Sequence, residues 1–120
     1  MSDPQTPRQR ARARTLEDIT RIGRRHLATE GAAALSVRAV ARDLGVVSSA
    51  IYRYVRSRDD LLTLLVVDGY DELGDLVDEA LERVPSDDYR GRFVAIGRAV
   101  RAWALREPAT YALQTRRSTN

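Results

Sequence analysis

A chain of 120 residues, 43% of them hydrophobic, is long enough to bury one core and short for two. It contains no cysteine, which excludes disulfides and thiolate metal sites and permits a reducing compartment. No apolar run approaches the roughly 20 residues of a membrane span, and residues 1–14 lack the apolar segment of a signal peptide. We therefore expect a cytoplasmic protein without membrane contact.

The net charge of +3 hides a segregation of charge along the chain. Residues 1–58 hold 12 arginines and 5 acidic residues, whereas residues 59–88 hold 1 arginine and 11 acidic residues. Residues 89–120 are basic again, with 7 arginines and 1 acidic residue. Arginine supplies all of this basic charge; its planar fork suits phosphate and guanine, although codon bias gives the same composition. The pattern predicts that one end of the protein meets a polyanion.

Helical apolar spacing begins after a polar N-terminal segment. Residues 1–14 contain two prolines and alternating arginines without an apolar face, so we predict a flexible basic arm. Apolar residues then recur at helical spacing from about residue 16 to residue 30. Ser36 and Gly45 bound a second, short helix as its N-cap and its C-cap.

A third short helix follows the second across a tight turn. Residues 45–47 are too few for anything but a turn, and the segment SSAIYRYV can make about two more helical turns. Ile51 and Val55 then face inward. Two short helices joined in this way form a helix-turn-helix unit, whose second helix can enter the major groove of DNA. We assign residues 15–60 to this domain.

A long helix and shorter helical segments are predicted for the rest of the chain. Ser57 and Asp60 form a variant capping box, and apolar positions step by three or four residues as far as Pro85. A second stripe follows over residues 92–106, where Pro108 ends or kinks the helix before a further helical segment. The predicted fold is all-α. A three-helix, homeodomain-like helix-turn-helix domain is joined by the long helix to a second helical part over residues 61–120.

Nothing in the sequence indicates catalysis. The single histidine, His26, cannot supply a histidine-based metal site, and its spacing places it on the inner side of the first helix. Glycine-rich phosphate loops and nucleophile elbows are absent from the sequence. The carboxylates between Asp59 and Asp88 fit a solvated helix face. We expect no enzymatic activity, no metal and no cofactor.

The arginines and tyrosines around the third helix are candidate DNA contacts. Their positions suit phosphates in four cases, Arg38, Tyr54, Arg56 and Arg58, and base edges in the other four, Ser48, Ser49, Tyr52 and Arg53. The first turn of the long helix adds backbone N–H groups beside Arg58 as an anion site. Burial of the rings between helices is the alternative for Tyr52 and Tyr54.

The segment GVVSSAIYRYVRSRDDLL, preceded by LSVRAVARDL, resembles the N-terminal domain of TetR-family transcriptional regulators. The resemblance covers about residues 14–66 and rests on Gly45-Val46, Ile51-Tyr52, Tyr54, Arg58 and Leu61-Leu62. It implies that Tyr54 and Arg58 clamp the DNA backbone, that Ser48, Ser49 and Tyr52 face the major groove, and that Arg38 reaches a base or a phosphate. Two residues depart from the family pattern. Val47 stands where many members have a capping Ser or Thr, which leaves Ser48 as an alternative cap, and His26 replaces a commonly apolar residue.

The C-terminal part RAVRAWALREPATYAL resembles the ligand-binding domain of some TetR-family members. The resemblance implies a ligand-responsive repressor that binds a palindromic operator in double-stranded DNA as a homodimer, with a small-molecule effector beside the long helix. Candidate pocket residues are Tyr70, Phe93, Trp103 and Tyr111, and ordinary core packing is the alternative for all four. Family members usually continue beyond this point. The resemblance therefore implies a partial helical regulatory domain, for ligand binding and dimerisation, over residues 61–120 of a truncated chain; a short member that dimerises differently is the alternative.

A function of another class is also compatible with the sequence. The helices within residues 59–106 could pair with another protein chain, as an all-α protein-interaction module without specific DNA binding, through an exposed apolar stripe. The arginines and tyrosines of residues 48–58 discriminate between the two functions, because an interaction module has no need of them.

Overall fold

The computed structural model describes residues 4–118. Its elements in chain order are α1 (Pro7–Glu30), a 3₁₀ turn (Ala32–Ala34), α2 (Val37–Leu44), α3 (Ser48–Ile51), α4 (Arg58–Glu82), α5 (Tyr89–Arg106) and α6 (Pro108–Ser118). No strand occurs within residues 4–118, so the predicted all-α fold is confirmed. The chain divides inside α4 into a first unit, Met1–Leu64, and a second unit, Leu65–Asn120. None of the described helices is long and apolar enough to cross a membrane.

The first helix begins much earlier than predicted. The Thr6 hydroxyl accepts a hydrogen bond from the Gln9 backbone N–H at 3.1 Å, and the Gln9 side chain accepts one from the Thr6 N–H at 2.8 Å. Pro7 occupies the first helical position, where its missing N–H costs nothing. The prediction of a flexible arm over residues 1–14 is therefore wrong from Pro7 onward, because capping and good helix formers start a helix without an apolar face. Residues 1–3 of that arm lie outside the described part of the chain.

The predicted second helix is confirmed, with both of its caps. The Ser36 hydroxyl accepts a hydrogen bond from the Ala39 N–H at 3.3 Å at the start of α2. Gly45 ends the helix in the left-handed conformation, at φ 82° and ψ 25°, and its N–H bonds the Ala41 carbonyl. Only glycine adopts this conformation without a steric penalty, so Gly45 sets the direction in which the chain leaves α2.

The first unit has a closed apolar core. Helix α1 packs against α2, and α2 packs against α3. The buried apolar side chains of this unit are Ile19, Ile22, Leu27, Leu35, Val37, Val40, Ala41, Ile51, Val55, Leu61 and Leu62. They come from all four helices, from the link between α1 and α2 and, in the case of Val55, from the turn between α3 and α4. Each helix therefore contributes to one shared core that holds α3 in place.

The long helix α4 starts at the predicted cap. The Ser57 hydroxyl accepts a hydrogen bond from the Asp60 N–H at 3.1 Å, as in a capping box. The Asp60 carboxylate differs from that motif, because it accepts from the Arg56 N–H at 3.1 Å, one residue before the cap. With 25 residues, α4 is on the order of 37 Å long. It links the two units covalently.

In the second unit, Gly69 lets α4 and α6 come close together. A Cβ at this position would lie 2.7 Å from the Gln114 side-chain nitrogen and 2.7 Å from a methyl of Thr110. Both of those α6 side chains are buried, and the Gln114 amide donates to the Val66 carbonyl at 3.5 Å. The approach of the two helices therefore depends on the missing side chain of Gly69.

Trp103 is the central side chain of the second unit. It is fully buried on α5, and its indole N–H donates to the Glu72 carboxylate on α4 at 2.8 Å. The same Glu72 oxygen lies 3.9 Å from the Arg106 guanidinium. The polar end of the indole thus has a charged acceptor, which removes the cost of burying it.

Candidate DNA-binding surface

The third helix is shorter than predicted, although its inward face is as expected. Helix α3 covers Ser48–Ile51, after which the chain continues in tight turns; the Tyr54 N–H donates to the Ile51 carbonyl at 2.9 Å. Ile51 and Val55 are buried, with 1% and 2% of their surface exposed. These two buried side chains hold the segment against the core of the first unit and leave Tyr52 and Arg53, which lie between them, exposed.

Val47 is the N-cap of α3 and contributes no side-chain hydrogen bond. The alternative that Ser48 caps the helix in its place is wrong, because Ser48 is already the first helical residue. Ser48 is half-buried and Ser49 is exposed. The helix start therefore keeps backbone N–H groups that no side chain of this turn satisfies, and packing of Ile51 rather than capping stabilises it.

Tyr52, Arg53 and Arg38 lie at the surface. Tyr52 is 42% exposed, so the alternative of a ring buried between helices is wrong. Arg53 follows it in the turn and is exposed, and Arg38, in the first turn of α2, is exposed as well. All three side chains can reach a molecule outside the protein, which is the geometric requirement for contacts with bases or phosphates.

Tyr54 has a neighbour that the sequence did not indicate. The Arg12 guanidinium of α1 lies 5.1 Å from the centroid of the Tyr54 ring, within the range of a cation–π interaction. Such a pair is worth about 0.5–1 kcal/mol at an exposed site. This contact brings a cation from the predicted arm beside residues 48–55, which we call the α3 segment. The Thr6-Pro7 start and Gln9 were the signal for an earlier helix that would place Arg12 on it.

Arg58 is committed to the protein backbone. Its Nε donates to the Leu35 carbonyl at 3.1 Å, and a terminal nitrogen donates to the Ala32 carbonyl. These carbonyls belong to the link between α1 and α2, so Arg58 ties that link to the start of α4. This geometry differs from the expected clamp on DNA, since two of the five N–H donors of the guanidinium are already used.

The start of α4 does not match the expected anion site. Asp59 and Asp60 lie in its first turn, and the Ser57 hydroxyl already accepts from the Asp60 N–H. Two carboxylates at this position satisfy the positive end of the helix and repel a phosphate. Arg56, two residues before α4 begins, is exposed and remains a candidate phosphate contact.

His26 joins α1 to α2 through Asp43. Its Nε2 lies 2.5 Å from an Asp43 carboxylate oxygen, which also accepts from Arg25 at 3.2 Å. The hydrogen bond with His26 is the main reason that the pKa of Asp43 lies below its usual value, with a smaller contribution from Arg25. The His26 Nδ1 is buried without a hydrogen-bond partner among the described residues. His26 thus has a hydrogen-bond partner at one of its two ring nitrogens.

The four candidate pocket residues do not line one cavity. Phe93 and Tyr111 line an apolar groove of about 500 Å³ between α5 and α6. Trp103 lines a different groove, of about 360 Å³, between α4 and α5, and Tyr70 borders neither of them. Phe93 is 78% exposed and Trp103 is fully buried. Only Trp103 fits the alternative of ordinary core packing. The structure does not bring the four candidate residues together in one pocket.

Comparison with known proteins identifies the part of the chain that carries this surface. Residues 19–65 match the family model described as bacterial regulatory proteins, tetR family. Over these residues the chain is similar to the tetR family. The match includes α2, α3 and the start of α4, which is the part of the chain on which the predicted resemblance rests.

Relatives extend the similarity over most of the chain. HTH-type transcriptional regulators Mb1846 of Mycobacterium bovis and Rv1816 of Mycobacterium tuberculosis are each 53% identical to it over 106 residues. That alignment covers 88% of the chain and 45% of each relative. The crystal structure of SCO4313, described as a regulatory protein, superposes with a TM-score of 0.73 at 35% identity, covering 90% of this chain and 50% of that one. The chain therefore spans about half the length of the relatives it matches.

Proposed function

We propose that this chain is the DNA-binding part of a sequence-specific transcriptional regulator. The observation that carries the proposal is the exposed α3 segment, held by buried Ile51 and Val55, inside the stretch that matches the tetR family. Ser49, Tyr52 and Arg53 read base edges in the major groove, while Arg38, Tyr54 and Arg56 contact phosphates. Arg58 supports this surface from behind by fixing the link between α1 and α2.

The regulator acts as a dimer on a palindromic operator. A helix-turn-helix reaches only a few base pairs, so two recognition helices must enter successive major grooves about 34 Å apart. Two-fold symmetry of the protein then requires two-fold symmetry of the operator. Repression is the mode that the resemblance implies. A small molecule bound beside α4 would release the operator if it prefers a different position of that helix, since only unequal binding shifts an equilibrium.

The test uses two Tyr-Arg pairs with the same chemistry in different units. Tyr52→Ala with Arg53→Ala removes the proposed base-reading pair, whereas Tyr89→Ala with Arg90→Ala removes an exposed pair from the second unit. Both double variants lose one ring and one positive charge. Binding is measured by fluorescence anisotropy on sequences that the unaltered chain selects from a randomised duplex pool.

We expect the first double variant to bind the selected DNA at least about tenfold more weakly, because each good base contact is worth about 1–3 kcal/mol. The second should bind like the unaltered chain. Equal effects of the two double variants would contradict the proposal. Salt-sensitive binding without selection of any sequence would refute the sequence-specific part and leave only contacts to phosphates.

Exposed apolar side chains in the second unit favour association with protein as a second candidate function. Phe93 and Leu105 of α5 are 78% and 69% exposed, and such side chains commonly mark interaction surfaces. If the chain is only a protein-interaction module formed by residues 65–118, Phe93→Ser with Leu105→Ser changes the oligomeric state, which light scattering measures. In that case Tyr52→Ala with Arg53→Ala has no effect on any activity of the chain.

A further inference from the structure

The N-terminal part of α1 lies outside the segment that matches the tetR family. The match begins at Ile19, whereas α1 begins at Pro7. Between them the helix carries four exposed arginines, Arg8, Arg10, Arg12 and Arg14. This segment therefore presents a concentrated positive charge that the family match does not account for.

Helical geometry divides these arginines into two pairs. Residues four apart share a face of a helix, so Arg8 lies beside Arg12, and Arg10 lies beside Arg14 on the opposite side. The contact of Arg12 with the Tyr54 ring shows which pair is directed toward the α3 segment. Arg10 instead donates to the Gln5 carbonyl at 2.6 Å, within its own end of the chain.

Neither Arg8 nor Arg12 has an acidic partner within residues 4–118, unlike Arg25, which pairs with Asp43. Their charges are therefore available to a ligand. A guanidinium that lies over an aromatic face keeps its in-plane N–H groups free to donate, which suits the oxygens of a phosphodiester. Tyr54, itself a proposed phosphate contact, sets where Arg12 presents those groups.

We propose that Arg8 and Arg12 form a second, sequence-independent contact with the DNA backbone, adjoining the α3 segment. This inference rests on the proposed DNA-binding function and adds two phosphate contacts that precede the family-matched residues. Arg12 is positioned by the Tyr54 ring, and Arg8 continues the same face one helical turn toward the N-terminus. The partner is duplex DNA, recognised by its phosphates.

The test compares two double variants of equal charge. Arg8→Ala with Arg12→Ala removes the proposed contacts, and Arg10→Ala with Arg14→Ala removes the same charge from the other face. Alanine favours helix, so α1 should persist, and far-UV circular dichroism checks this; Arg8→Gln with Arg12→Gln is a second version of the variant. Binding to a labelled duplex pool of randomised sequence is measured at a series of salt concentrations.

We expect Arg8→Ala with Arg12→Ala to weaken binding on the order of tenfold near physiological salt, and to reduce the slope of log K against log salt by about 2, since each phosphate contact contributes about 0.9. The Arg10→Ala with Arg14→Ala variant should change the slope far less. Equal reductions in both would overturn the inference, because binding would then depend only on net charge.

A second measurement tests the role of the Tyr54 ring. Tyr54→Phe keeps the aromatic face and loses the hydroxyl, whereas Tyr54→Leu loses both. Arg12→Ala should weaken DNA binding in the Tyr54→Phe background as much as in the unaltered chain. In the Tyr54→Leu background, Arg12→Ala should cause little further loss of binding. Equal effects of Arg12→Ala in both backgrounds would show that the ring does not position Arg12.

These results separate this inference from the proposed function. If Arg8→Ala with Arg12→Ala has no effect while Tyr52→Ala with Arg53→Ala abolishes selection, the inference fails and the proposed function stands. If the unaltered chain binds no DNA at any salt concentration, both are wrong.

Discussion

The two units bury very different shares of their apolar side chains. Of the described residues, 11 buried hydrophobic side chains lie in the first unit and 3 in the second. Large exposed hydrophobics show the reverse, with 3 in the first unit and 8 in the second. The first unit therefore closes its own core, whereas the second leaves most of its large apolar side chains exposed.

This difference corresponds to what each unit is proposed to do. A recognition segment must hold its exposed side chains in fixed positions, and buried anchors such as Ile51 and Val55 supply that rigidity. The second unit concentrates its packing around Trp103 and Gly69 and exposes Phe93 and Leu105 elsewhere. Its stability should accordingly depend on a few positions, which the following changes examine.

The largest effect is expected from Trp103→Ala. Removing this buried ring should lower the free energy of unfolding by about 3–5 kcal/mol, because it leaves a cavity and removes the hydrogen bond from the indole to the Glu72 carboxylate. Phe93→Ala is the control, an aromatic truncation on the same helix at a 78% exposed site, with an expected change within about 0.5 kcal/mol. Urea unfolding followed by circular dichroism measures both. Similar losses in the two variants would show that the unit has no single packing centre.

A smaller loss is expected from Gly69→Ala. The new methyl would contact Gln114 and Thr110 at 2.7 Å, and relieving this overlap should cost about 1–3 kcal/mol. Gly74→Ala, in the same helix with nothing within 4 Å, should instead stabilise by about 0.5–1 kcal/mol. Trp103 is the only tryptophan in the chain, so its fluorescence reports unfolding of the second unit directly. A stabilised Gly69→Ala variant would contradict the close approach of α4 and α6.

The smallest effect concerns the contact of Asp43 with His26 in the first unit. The pKa of Asp43 is lowered in the folded protein, chiefly by the hydrogen bond with His26, so the unfolded state takes up a proton more readily. The stabilisation is therefore present above the unfolded pKa of about 3.9 and is lost as the pH falls through the lower folded value. Asp43→Asn should be less stable than the unaltered chain at pH values well above 4, and the difference should shrink on acidification. A difference independent of pH would mean that packing alone explains it.

Local signals were sufficient for most of the helices. Ser36 and Gly45 predicted both ends of α2, and Ser57 with Asp60 predicted the start of α4, because caps satisfy backbone groups within a few residues. The start of α1 was missed because apolar spacing was used to place it, although the Thr6 and Gln9 capping signal was present. The end of α3 was misplaced because no side chain signals it; buried Ile51 and Val55 permit tight turns between them.

The sequence indicated which residue types form the candidate site, whereas the contacts that these residues make became known only from the fold. Exposure of Tyr52 and Arg53 agrees with the spacing of Ile51 and Val55, since buried residues at that interval turn their neighbours outward. The hydrogen bonds from Arg58 to the Ala32 and Leu35 carbonyls join residues that are more than 20 positions apart in the sequence, so no local sequence pattern predicts them.

Helix periodicity and capping, which act over four residues or fewer, were enough to establish an all-α chain with a helix-turn-helix. The pairing of Arg12 with Tyr54, of His26 with Asp43 and of Trp103 with Glu72 became visible only in the folded chain. Such contacts depend on how separate helices pack, because packing brings distant residues within a few ångströms according to the shape of the shared core. The exposure of apolar side chains in the second unit has the same origin, since a helical stripe predicts which residues are apolar but not which of them find a neighbour.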